Sequence, residues 1–285
     1  MSAYGAPNPE TPTTLPSPPF VHLKGIPNFR DLGGSPIGDD GSVAVRRKYL
    51  FRCAEPTQAS SEAVEKIRSL GITHIFDLRS LPEIERMQVS STGSRVTEWP
   101  GVERVFTPVF RDVGYDPVSL AKRHADYQDE RPEGMVNAYR AILTQGGPAY
   151  GAIMRHVAKN LSPDTGLIFH CTAGKDRTGV LGALILSMCG VSDDIVADEY
   201  NLTEAGLGDW TEFLVRAVMK QGAASEAGAR RMVGARRESM LDTLKMIRAE
   251  FGGPEAYFED KCGLSKKEIA EIKAFLTVKQ TPEFS

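Results

Sequence analysis

Short apolar runs spaced like buried strands alternate with longer stretches of helical spacing along this chain. Tyr49-Leu50-Phe51-Arg52 reads as a short strand. Ser60 or Ser61 then stands where a helix cap belongs, ahead of Ala63, Val64, Ile67 and Leu70, and Gly71 ends that helix. Ile72-Thr73-His74-Ile75-Phe76-Asp77-Leu78 follows as a buried strand, giving a β-α-β unit with a right-handed crossover. Val102 to Phe106 predicts a further strand. Helical spacing returns around Asn137 to Leu143 and over Tyr150 to Leu161. Gly166-Leu167-Ile168-Phe169 is a buried strand, and Val180 to Leu186 an equally apolar helix directly after a tight loop. From residue 192 to 277 the pattern is helical, with no good strand candidate. The expected fold is α/β, a mainly parallel central sheet flanked by helices with a helical C-terminal half.

Residues 1 to 19, rich in Pro, Thr and Ser as in Pro16-Ser17-Pro18-Pro19, read as a flexible tail with too little apolar surface to order itself. A docking peptide for a proline-recognising domain is the alternative. Residues 20–280 form one domain. Within it, residues 207–237 carry Trp210, Phe213, Leu214, Ala217 and Val218 at helical spacing, then Arg230, Arg231, Arg236 and Arg237. One more core helix is the plain reading; a helical lid over an active site is the sharper one.

Over 285 residues, 41% hydrophobic and 25% charged residues suit a globular protein and exclude wholesale disorder. A net charge of -3 gives no general attraction to nucleic acid or to an anionic membrane. No apolar run approaches the ~20 residues of a membrane span, so stable membrane insertion is not expected. Nor is there a basic, then apolar, start of the secretory kind. Cys53, Cys171, Cys189 and Cys262 are too irregularly spaced for a zinc motif or a disulfide framework.

The chemistry concentrates in His170-Cys171-Thr172-Ala173-Gly174-Lys175-Asp176-Arg177-Thr178-Gly179, between the apolar strand and the apolar helix. A loop there presents backbone N–H groups at a helix N-terminus, where the dipole favours an anion. The same field favours the thiolate form of a cysteine. Arg177 adds a planar fork of donors that matches two phosphate oxygens. Nucleophile, anion cradle and charge clamp in one loop imply phosphoryl transfer to cysteine. A nucleotide-binding P-loop is excluded, because Gly174-Lys175 lacks the upstream glycine and the following Ser or Thr.

C-x5-R followed by Thr178-Gly179, preceded by His170 and flanked by strand and helix, resembles the signature of the protein tyrosine phosphatase superfamily. Asn28-Phe29-Arg30-Asp31-Leu32-Gly33-Gly34, the Asp176-Arg177 pair and Phe251-Gly252-Gly253 narrow the resemblance. Together they resemble the tyrosine phosphatase family that includes bacterial secreted phosphatases with dual protein and phosphoinositide activity. The resemblance spans residues 21 to 280. It implies a cysteine-phosphatase fold, one phosphatase catalytic domain over 20–280 and chemistry without metal or cofactor.

Each loop residue then has an expected role. Cys171 attacks phosphorus and forms a thiophosphate intermediate. His170 orients the loop; the plain alternative is a strand-end histidine bonded to backbone. Thr172, Ala173, Gly174, Lys175 and Asp176 supply N–H donors, Arg177 holds two phosphate oxygens, and Thr178 offers its hydroxyl to the sulfur. Families resembling this one carry an aspartate at the position of Asp176, which makes it the first candidate for general acid. Asp77 is the second, against a structural ion pair with Arg79 or Arg30. The resemblance also gives Lys175 a part in binding highly charged head groups; the alternative is a lysine folded over the rim to pair with a carboxylate. Asn28, Arg30 and Asp31 line or brace the pocket, against a turn held by Asx hydrogen bonds with Arg30 paired to Asp77, and Arg79 near the strand mouth is a further substrate-binding candidate. The expected activity is hydrolysis of phosphotyrosine on proteins, extending to phosphoserine or phosphothreonine. The rivals are a phosphoinositide phosphatase and a phosphate-binding pseudophosphatase. A thiolate enzyme suits a reducing compartment, hence the cytoplasm.

Overall fold

The computed structural model describes residues 10–38, 40–90, 98–111 and 117–280. A five-stranded sheet forms its centre: β1 (Arg30–Asp31), β4 (Leu50–Cys53), β7 (Gly166–His170), β5 (Ile72–Asp77) and β6 (Glu103–Phe106), in that order. The four strands from β4 to β6 run parallel, and β1 closes one edge antiparallel to β4. β7 thus arrives last and inserts between two strands laid down earlier. A small antiparallel sheet joins β2 (Pro36–Ile37), β3 (Val43–Val45) and β8 (Thr277–Lys279).

The period of two in the central strands sorts the core into layers. Phe51, Ile75 and Ile168 face one side, under α1 (Ser61–Ser69) with Ala63 and Ile67. Leu50, Phe76, Leu167 and Phe169 face the other. There they meet α4 (Pro132–Lys159) and α5 (Asp176–Cys189), and α5 is apolar because it is buried on all sides. Around these helices pack α6 (Asp193–Leu207), α9 (Arg237–Phe251), α10 (Pro254–Asp260) and α11 (Lys266–Leu276). α2 (Leu81–Ser90) follows β5, and α3 (Pro117–Gln128) precedes α4. α7 (Trp210–Lys220) and α8 (Glu226–Val233) pack on each other around a small core of Val215, Ala229 and Val233. No helix among the described residues is long and apolar enough to cross a membrane.

Most predicted elements are present within a residue or two; two expectations need correction. The helices expected over 137–143 and 150–161 are one helix of 28 residues that runs through Gly146-Gly147-Pro148. Tertiary packing overrides the local break signal, since Tyr139, Ile142, Leu143, Tyr150, Ile153 and Met154 form one buried stripe across it. The glycines serve contact instead, as a Cβ on Gly147 would stand 2.2 Å from the carbonyl oxygen of Lys261. The tail expected to reach residue 19 packs from Glu10 onward. Thr11 is buried, its hydroxyl donates to Ile26 O at 3.3 Å and accepts from Phe29 N at 3.1 Å, and Glu10 bridges to Lys24.

Candidate active site

The loop from His170 to Arg177 leaves the carboxyl end of β7 and enters α5, which is where open parallel sheets bind ligands. Its backbone groups are sorted by direction. The carbonyls are tied from outside. Cys171 O accepts from His170 Nδ1 at 3.0 Å, and Thr172 O from Glu55 N at 2.9 Å. Ala173 O and Gly174 O accept from Asn28 Nδ2 at 3.2 and 3.4 Å, and Gly174 O also from Arg52 Nη2 at 2.8 Å. The N–H groups of Thr172, Ala173, Gly174 and Lys175 donate to no described residue. A run of unpartnered N–H groups at a helix N-terminus has the makings of an anion nest. Gly174 closes it at φ +64°, where a Cβ would stand 2.1 Å from Cys53 O. Cys171 is buried at the centre, and the buried Thr178 Oγ1 has no bonding partner among the described residues.

Arg177 is fixed by a carboxylate that sequence reading passed over. Its Nη1 and Nη2 donate to Glu83 Oε2 and Oε1 at 2.7 and 2.6 Å, and Nη1 also reaches Leu78 O at 3.4 Å. Glu83 Oε2 accepts from the backbone N–H and hydroxyl of Ser80 at 3.0 and 2.8 Å, and Thr172 Oγ1 donates to Oε1 at 3.2 Å. Ser80-Leu81-Pro82-Glu83 is thus a capping box whose glutamate also aims the guanidinium. The serine-x-x-glutamate spacing was the signal available in the sequence.

Behind the loop lies a second missed carboxylate, Glu199 of α6. It pairs with Arg30 Nε at 2.7 Å and Arg52 Nη1 at 2.6 Å, and all three side chains are buried. Burial alone would raise the Glu199 carboxyl, but the two guanidinium groups outweigh it and hold it low. Burial, then the neighbouring Arg52, pulls Arg30 down to about 10. Arg30 further bonds Thr203 Oγ1 at 3.1 Å, the Glu199 carbonyl and Asn28 Oδ1. Asn28, at φ +60°, is thereby clamped against the loop. Arg30 braces the site from behind and does not line the pocket, which corrects one of its two expected parts.

Asp77 and Arg79 likewise form a support. Asp77, fully buried, accepts from Arg79 Nε and Nη2 at 2.9 and 2.8 Å and from Arg104 Nη2 at 2.6 Å, and Arg79 also pairs with Glu55 at 3.4 Å. Burial pushes the Asp77 carboxyl up, but His170, Arg79 and Arg104 together hold it well below the usual carboxylate range. Both of its oxygens are taken up by guanidinium donors, so Asp77 has the place of the structural ion pair, the alternative to a general acid. His170 Nε2 stands 3.7 Å from Asp77 Oδ1, and burial pushes the imidazole down to about 4. The ring is neutral near pH 7, and its Nδ1–H holds the Cys171 carbonyl.

Lys175 takes the second of its two expected places, beside a carboxylate. Its ammonium is buried, donates to Met232 O at 2.5 Å and Gly234 O at 2.9 Å at the end of α8, and stands 3.2 Å from Asp176 Oδ1. It ties the loop to α8 instead of facing a ligand. Asp176, at the first turn of α5, is partly exposed and accepts from Tyr139 Oη at 2.9 Å. Trp210 of α7 packs with Ala54 and Leu207 against Ala173, so α7 lies on the loop. Arg230 pairs with Glu212 and Glu226, Arg231 with Glu130, and Arg237 with Asp194 and Asp198; none of the three is directed to Cys171.

The end of β7, a loop of unpartnered N–H groups, a buried cysteine and a carboxylate-fixed arginine thus meet at the start of α5. Residues 21–278 match the model of the tyrosine phosphatase family, and the chain belongs to that family. It is similar to three named proteins. A candidate tyrosine-protein phosphatase of Cupriavidus necator is 32% identical over 61% of this chain and 59% of its own length. The triple specificity protein phosphatase PtpB of Mycobacterium tuberculosis is 29% identical over 62% of this chain and 67% of its own. A tyrosine-protein phosphatase of Nostoc commune is 30% identical over 58% and 55%. Each match leaves a third or more of the relative's length outside it.

Two predictions follow from the supports. Glu199→Ala strands two buried guanidinium groups, so urea unfolding should show a loss on the order of 3–5 kcal/mol; a loss within error would contradict the bracing role. His170 binds a proton more readily unfolded than folded, so its stabilisation is complete above pH 6.5 and falls away as pH drops toward 4. Between those limits wild type should lose stability on the order of 1–3 kcal/mol more than His170→Asn, read from urea midpoints at pH 7 and pH 5. Equal losses in both proteins would refute it.

Proposed function

We propose that the chain hydrolyses phosphomonoesters by covalent catalysis on Cys171, with phosphotyrosine on proteins as the leading substrate. The observation that carries this reading is the loop itself: its carbonyls are tied by outside donors, while four successive N–H groups beside a buried cysteine bond no described residue. Phosphate sits in that nest and Arg177, aimed by Glu83, holds its oxygens as charge spreads over them. The Cys171 sulfur attacks phosphorus as the ester oxygen leaves with a proton from Asp176. Asp176 then takes a proton from water as the water attacks the phosphocysteine. Inorganic phosphate departs, and Thr178 offers its hydroxyl to the returning thiolate. His170 keeps the Cys171 carbonyl turned outward. The residues need no metal or cofactor for any of these steps.

Residues 20–280 serve as one catalytic unit, with α7 and α8 as a cover resting on the loop. The position of Lys175 favours protein phosphotyrosine over inositol-lipid head groups, because its ammonium is engaged by Met232, Gly234 and Asp176. Phosphoserine, phosphothreonine and lipid head groups are the further substrates to compare, and PtpB's name assigns three specificities to that relative. A thiolate nucleophile in a chain whose four cysteines are all unbridged suits a reducing, cytoplasmic setting.

Steady-state hydrolysis of an aryl phosphate with EDTA present tests the reading. Turnover should persist in wild type and fall about 10⁴-fold or more in Cys171→Ser. Phosphotyrosyl peptide should then outpace inositol phosphates. A folded wild type inactive on all of them would leave a phosphate-binding protein instead.

A further inference from the structure

We propose that Tyr139, braced by Tyr200, is a positioning residue that dictates which oxygen of Asp176 carries the transferable proton. The inference rests on Asp176 being the general acid. Tyr139 lies in the first third of α4 and Tyr200 in α6, and both rings are buried. Tyr139 Oη stands 2.9 Å from Asp176 Oδ1 and 2.5 Å from Tyr200 Oη. A carboxylate only accepts, so Tyr139 donates to Asp176, and the hydrogen between the two phenols is then supplied by Tyr200. Lys175 Nζ approaches the same Oδ1 at 3.2 Å. Two donors therefore converge on Oδ1, while no described residue bonds Oδ2.

Donor hydrogens crowding one carboxyl oxygen leave no room for a proton there. When Asp176 is neutral, its proton sits on Oδ2. The leaving oxygen takes that proton as its bond to phosphorus breaks, and the donors on Oδ1 hold the carboxylate that results. Water returns a proton to Oδ2 as it attacks the phosphocysteine, so the cycle closes with no net change on the protein. Burial, then the neighbouring charge of Asp176, raises both phenols far above their ordinary value, so they remain donors throughout the working range. The tyrosines touch neither substrate nor phosphorus; they act through Asp176. Their placement also joins α4 and α6 to the first turn of α5, so the acid's geometry is held by three helices.

The leaving group supplies the test. Dinitrophenyl phosphate departs without protonation, whereas phenyl phosphate needs the acid. Tyr139→Phe should lower kcat on phenyl phosphate by about 10- to 100-fold, part of what a general acid contributes. On dinitrophenyl phosphate kcat should change by less than about threefold, with KM little moved on either. Asp176→Asn should show the same selectivity at larger amplitude, and adding Tyr139→Phe to it should cost nothing further. Tyr200→Phe should repeat the pattern more weakly, and replaces Tyr139→Phe should that variant not fold. If Asp176→Asn is selective while the tyrosine variants lose nothing, or lose equally on both esters, the positioning role is overturned alone. If Asp176→Asn is itself unselective, the general-acid reading falls and this inference with it.

Discussion

A loop that turns its N–H groups inward must carry its carbonyls outward, and buried carbonyls need donors. That constraint organises the centre of this protein. Asn28 and Arg52 supply three bonds to Ala173 and Gly174, Glu55 supplies one to Thr172, and His170 one to Cys171. None of these donors would hold position alone. Asn28 is held by Arg30, and Arg30 and Arg52 share Glu199 across more than 140 residues of sequence. An edge strand, a central strand, the catalytic loop and a helix of the C-terminal half thereby close on one buried carboxylate.

The charges behind the loop are matched unevenly. Glu199 faces two guanidinium groups, whereas Arg79 and Arg104 are balanced by Asp77 and Glu55, Arg177 by Glu83, and Lys175 by Asp176. Glu199 is outnumbered by its two guanidinium groups, and Arg52 brings that excess to the carbonyl of Gly174. Together with the α5 N-terminus, this gives an anion a favourable field in a chain whose net charge is -3. Burying ions is costly unless each is paired and bonded, and here the bonds run to the backbone that has to be shaped.

The strands and the catalytic loop were legible because each is a local pattern. Gly166 to Phe169 is a short apolar run ahead of a tight loop, and Cys171 to Arg177 places the proposed nucleophile and clamp within seven residues. The supports were not legible, because their pairing is long-range. Glu199 is one glutamate among many on a helix, and only folding brings it to Arg30 and Arg52. Asp77 and Arg79 look like site residues from their place at a strand end, and burial with Arg104 turns them into scaffold. Lys175 sits within the signature, so its turn toward α8 follows from where that helix packs. The continuous α4 shows the same limit, as Gly146-Gly147-Pro148 breaks a helix by propensity yet is spanned by a core stripe.

The most direct test of the account is to quench turnover of a phosphotyrosyl peptide in acid, digest the protein and weigh the peptide holding Cys171. The account predicts that this peptide, and no other, gains the mass of one phosphoryl group during turnover, and that the gain is absent from Cys171→Ser. Turnover with the phosphoryl group on a different residue, or with no trapped adduct at any time, would contradict it.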